Sequence, residues 1–131
     1  MKYILMMTGD RAGVDAYRAW SPGDVQAHFG HLKALNRDLI ESGEFVDNQP
    51  LTPPERAKLV RAGKGGEPIT DGVFPESKEF LLGYWVVDVE TPERAYEIAA
   101  RLSGGPGPGG TRISMPIEVR QLMAPRAAVE L

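Results

Sequence analysis

Two histidines, His28 and His31, stand three positions apart and are the side chains best suited to move a proton near neutral pH. The chain has no cysteine, which excludes a disulfide framework, a thiolate zinc or iron–sulfur site and a cysteine nucleophile together. An i,i+3 pair of imidazoles can ligate a metal, but no third ligand of the usual spacing accompanies this one, so no metal and no other cofactor is expected. As a general acid or base, an imidazole needs a second group to orient it. Asp71, at the head of an Asp71-Gly72 turn, is the carboxylate in a position to do so, although the same residue can cap the turn through its own backbone. Just beyond it, Lys78 and Glu79 could take a ligand's carboxylate and hydroxyl, or form a solvated pair, and Tyr84 offers a phenol or an ordinary core contact. The run Gly104 to Gly110 is all glycine and proline. No Gly-Lys-Ser/Thr follows it, so it reads as a mobile loop and not as a phosphate cradle.

Helices and strands must position these groups. Ser21-Pro22-Gly23-Asp24 is a helix start, with Ser21 as N-cap and proline at the first helical position. Val25, Phe29, Leu32, Leu35 and Leu39 then recur at helical spacing up to Gly43, predicting a helix over Pro22 to Ser42. At 100° per residue His28 falls about 25° from the centre of that stripe and His31 about 85° from it, predicting a buried His28 and a partly exposed His31. Thr91-Pro92-Glu93 repeats the start signal, with Ala95, Ile98, Ala99 and Leu102 behind it, for a second helix from Pro92 to Ser103. Strands are expected over Lys2 to Met7, Glu44 to Leu51, Phe80 to Val89 and Ile117 to Met123, and a hairpin over Arg56 to Arg61 and Glu67 to Thr70. Residues 9 to 20 read as a connection and 124 to 131 as a tail to a single domain over 1 to 123.

That order is a split βαβ, ferredoxin-like α+β sheet with an inserted hairpin and both helices on one face. In the strand from Phe80, Leu82, Tyr84 and Val86 alternate with Leu81, Trp85, Val87 and Val89, so both faces need cover. A homodimer packed sheet to sheet is the simplest cover. The 131 residues carry 15 basic and 18 acidic groups, a net charge of −3, which argues against direct binding of nucleic acid or an anionic membrane. The basic cluster Arg56, Lys58, Arg61 and Lys64 lacks the interleaved aromatics of a base-stacking surface. No apolar run approaches the ~20 residues of a membrane span, and a cytoplasmic location is expected.

The segment Thr70-Asp71-Gly72-Val73-Phe74-Pro75-Glu76-Ser77-Lys78-Glu79, followed by Gly83-Tyr84, resembles the signature of the YCII-related superfamily. Within it the likeness is to the branch named for its Asp-Gly-Pro-Phe motif, with Val73 standing where that motif has proline. Met1-Lys2-Tyr3, Leu39 through Gly43 and Ile117 to Arg120 are placed as in that branch, so the resemblance covers nearly all of residues 1 to 123. It implies a dimeric α+β barrel. It also implies a small-molecule-binding domain of unknown activity, in some members linked to extracytoplasmic-function sigma factors and so regulatory. The alternative it implies is an enzyme of lyase or dehydrochlorinase type that uses a histidine–aspartate pair. His31-Leu32 resembles the histidine-leucine of the first helix in YCII-like proteins, which makes His31 and Asp71 the candidate pair. His28, Lys78, Glu79 and Tyr84 would then contact a small anionic or phenolic ligand.

Overall fold

Each helix begins where a short oxygen-bearing side chain can take up an orphan backbone N–H. Asp10 accepts from the Gly13 amide at 2.7 Å, Ser21 from Asp24 at 3.1 Å and Thr91 from Arg94 at 3.2 Å. The computed structural model describes residues 1–72 and 79–123. Along the chain lie β1 (Lys2–Gly9), α1 (Arg11–Arg18), α2 (Pro22–Ser42), β2 (Phe45–Pro50), β3 (Lys58–Ala62), β4 (Pro68–Gly72), β5 (Phe80–Asp88), α3 (Pro92–Ser103) and β6 (Ile117–Gln121), with single 3₁₀ turns at Pro54–Arg56 and Pro108–Gly110. α2 ends at Gly43, whose φ of 78° only glycine adopts without strain.

Four strands form one antiparallel sheet in the order β2-β5-β1-β6, the order of a ferredoxin-like α+β fold. Among the described residues β3 and β4 pair only with each other. On one face Tyr3, Leu5, Trp85, Val87 and Val89 pack against Leu35 and Leu39 of α2 and Ala95, Ile98, Ala99 and Leu102 of α3. Full burial of Leu5, Leu35, Leu39, Ile98 and Leu102 contributes ~1.5–3 kcal/mol per side chain. Two polar contacts fix the layers' orientation: Trp85 Nε1–H donates to Asn36 Oδ1 at 2.7 Å, and Arg94 grips Glu44 with Nε and Nη2, each at 2.9 Å. The opposite face, which carries Ile4, Met6, Tyr84 and Val86, is covered by no helix among the described residues, and these side chains remain half-exposed.

Two expectations need correction. Residues 11–18 are a helix and not part of a connection; only Val14 of α1 is buried, so the apolar period that marks longer helices is missing there. Gly104 to Gly110 is not a mobile loop but a packed one. Gly105 and Gly107 are buried, Gly107 N–H donates to Thr111 O at 2.7 Å, and Ile113 N–H donates to Gly105 O at 2.9 Å. Glycine is needed there for close approach: a Cβ on Gly107 would overlap the Ile113 side chain. The sequence Ala124 to Leu131, read as a tail, lies outside the described residues, as do Val73 to Lys78.

Candidate functional site

The buried ridge of α2 is His28, Leu35 and Leu39, with Leu32 partly buried, whereas Phe29 is 44% exposed. His28 is thus buried as its helical phase predicts, whereas Phe29, assigned to the same stripe, faces outward. His28, 5% exposed, meets the packed glycine–proline loop: its Nδ1 lies 3.1 Å from Pro106 O and its ring stands edge-on to Trp20 at 5.6 Å. A carbonyl can only accept, so Nδ1 carries the proton and Nε2 holds the lone pair. Among the described residues no group hydrogen-bonds to Nε2. One turn on, His31 Nε2 donates to Arg101 O at 2.7 Å, which leaves Nδ1 as its acceptor. The two rings thus hold opposite tautomers and latch α2 to the end of α3 and to the loop behind it.

Asp71 lies on the β3–β4 hairpin, exposed, with its carboxylate 3.7 Å from Arg61 Nη2. The structure does not bring it to His31 within the chain: the histidine's ring is oriented by the Arg101 carbonyl instead. Tyr84 is on the open sheet face, its hydroxyl donating to Asp47 Oδ2 at 3.4 Å across the β2–β5 pair. His28 and Tyr84 are therefore on opposite sides of the sheet, and Glu79 is at its end. Lys78 lies outside the described residues.

Glu79 does line a cleft. After Pro50 opposite Gly83 and one further bond from Leu51 N–H to Leu82 O at 2.9 Å, Pro53-Pro54 cannot continue the ladder, and the chain leaves β5. The gap so opened, about 370 Å³, is lined by Leu51, Thr52, Pro54, Ala57, Glu79, Phe80 and Leu81. Its floor is fixed: Phe80 is buried under the guanidinium of Arg11, 5.1 Å from the ring centroid. Its wall is fixed too, because Arg11 and Arg18 each hold a carboxylate oxygen of Glu55 at 2.6 Å and tie the turn at Pro54–Arg56 to α1. Hydrogen bonds from Arg18 first and Arg11 second bring the Glu55 carboxyl down to about 2. A second hollow of about 650 Å³ lies around Met1, Glu44, Asp88 and Arg94, where the charges already pair with one another. There the Arg94 guanidinium holds the Glu44 carboxyl below its ordinary range.

Arg11, Arg18 and Glu55 escaped the sequence reading because nothing in their spacing links a helix at 11–18 to a turn at 54–56. Trp20 and Gly105 escaped it because their role depends on a loop read as mobile. Among the described residues no three His, Cys, Asp or Glu side chains converge as a metal site, and no helix is long and apolar enough to cross a membrane.

The model of a YCII-related domain matches residues 1–105. An uncharacterised protein of Rhizobium meliloti (strain 1021) is 30% identical over 103 residues, covering 79% of this chain and 81% of the relative.

Proposed function

We propose that this chain, which belongs to the YCII-related domain family, is a small-molecule-binding protein that works as a homodimer, with its ligand site in the cleft between Leu51, Pro54, Phe80 and Leu81. One observation carries this reading: an apolar gap of about 370 Å³ with a clamped floor and wall, the combination of mostly apolar lining and few polar groups that suits a small ligand. The polar groups at hand are the Glu79 carboxylate and the Thr52 hydroxyl. A carboxylate accepts hydrogen bonds and repels anions, so the lining favours a phenol over a benzoate. The dimer rests on the half-exposed face of Ile4, Met6, Tyr84 and Val86, which a second sheet would cover. A regulatory role in the cytoplasm fits a protein that binds such a ligand without turnover.

Titration of ¹⁵N-labelled protein with phenol and with benzoate tests the site. Phenol should move the amides of Leu51, Phe80 and Leu81, benzoate should move them less, and Phe80→Ala should remove the response; shifts confined to other regions refute it. Sedimentation tests the dimer, with Met6→Asp expected to give single chains.

Acid/base turnover of lyase or dehydrochlorinase type is the second reading, favoured by the fixed tautomers of His28 and His31. In it His31 is the acid/base residue and Asp71 its carboxylate, which must leave Arg61 to reach it. Turnover that Asp71→Asn leaves unchanged removes the pair from this reading.

A further inference from the structure

The β3–β4 hairpin has no cover among the described residues. Every residue of both strands is exposed, and neither strand joins the four-stranded sheet. Yet the hairpin is not polar. Leu59 is 45% exposed, Val60 59% and Ile69 47%, and the register places Leu59 and Ile69 on one face of the ribbon and Val60 on the other. An isolated two-stranded ribbon is at best marginally stable in water, and apolar side chains on both faces mark a strand pair covered from both sides.

Charge says what covers it. Residues 57–72 hold Lys58, Arg61 and Lys64 against Glu67 and Asp71, a surplus of one positive charge on a chain whose net charge is −3, so the rest of the chain carries −4. A basic, apolar arm on an acidic body is complementary to a second copy of that body. The body also supplies apolar surface, because its open sheet face sets Ile4, Met6 and Val86 between Asp47 on one edge strand and the Glu118–Arg120 pair on the other. We infer that the hairpin is an arm that crosses to the second copy of the chain, seating Leu59, Val60 and Ile69 on its body beside the sheet interface. The arm's root, Ala57, lines the ligand cleft, so the crossing also sets the position of one cleft wall relative to the partner. This inference rests on the homodimer proposed above and adds to it which element does the clasping.

The absence of cysteine makes the test clean. Val60→Cys carrying a benzophenone maleimide is mixed with isotopically heavy, unlabelled full-length chain, left to exchange subunits and irradiated. Light-to-heavy cross-links, mapped by mass spectrometry to body peptides of the heavy chain, are the expected result. In parallel, the triple variant Leu59→Asp, Val60→Asp, Ile69→Asp should raise the dimer dissociation constant ~10-fold or more. Its circular dichroism should be unchanged, since all three side chains are exposed. A dimer with cross-links confined to one chain, or a triple variant that dimerises as tightly as wild type, overturns the arm alone. A wild-type mass of one chain at all concentrations overturns the arm and the sheet interface together.

Discussion

Gly105→Ala should cost the protein ~1–3 kcal/mol, and the geometry says where the cost arises. An alanine Cβ at this position would stand 3.1 Å from both Cε1 and Nδ1 of His28 and 3.2 Å from Cδ2 of His31, so a neighbour must give by a few tenths of an ångström. Neither ring is free to give. His28 is buried and donates to Pro106 O at 3.1 Å, and His31 donates to Arg101 O at 2.7 Å. Moving a ring stretches its bond, worth ~1 kcal/mol net and ~1–3 if a buried group is left unpaired; leaving the rings in place stores overpacking strain of ~1–3 kcal/mol. The two costs are alternatives and do not add. The variant should therefore melt lower, by roughly 4–11 °C for a domain of this size, and lose urea midpoint at unchanged slope. A double-mutant cycle isolates the cause: with His28→Ala in place the added methyl has room, so the penalty of Gly105→Ala should fall by ~1 kcal/mol or more. Equal penalties in the two backgrounds, or a neutral single variant, would show that the latch of two imidazoles on the loop does not exist as described.

Gly30→Ala should do the opposite, because an added Cβ meets nothing within 4 Å on the exposed side of α2; a gain of ~0.5–1 kcal/mol in chemical denaturation is expected, and a loss would mean that this face is covered. Trp85→Phe removes the donor to Asn36 and part of a buried ring, for a loss of ~1–3 kcal/mol that should shrink in an Asn36→Ala background; thermal melts of the four proteins decide it. Glu55, at about 2 when folded against 4.5 ordinarily, contributes stability that is present above pH 4.5 and lost as the pH falls towards 2. Wild type should therefore lose more urea midpoint between pH 6 and pH 3 than Glu55→Gln does, and equal acid losses would refute the clamp by Arg11 and Arg18.

Helix ends, strand identity and fold class were legible in the sequence because their causes are local. Ser21, Thr91 and Gly43 cap helices through atoms within a few residues, and the alternation around Trp85 states which side chains share a face. The resemblance in residues 70–84 pointed to the family that the comparison over residues 1–105 establishes. Only tertiary structure decided the rest. α1 hides in the sequence because one buried side chain, Val14, makes no period. His28 is buried as its helical phase predicts, but Phe29, assigned to the same stripe, is exposed, and only the fold shows that Trp20 and Pro106, distant in sequence, offer the imidazole an edge-on ring and a carbonyl acceptor. Gly104 to Gly110 packs because Gly105 and Gly107 let backbone approach side chains that no local rule can supply. The cleft at Phe80 is of the same kind: Pro53-Pro54 announces that a strand stops, but a gap forms there because β5 continues alongside and two arginines from α1 hold the departing turn in place. A sequence records each residue's own preferences, and a site that depends on which distant surfaces meet is fixed only when the chain has closed on itself.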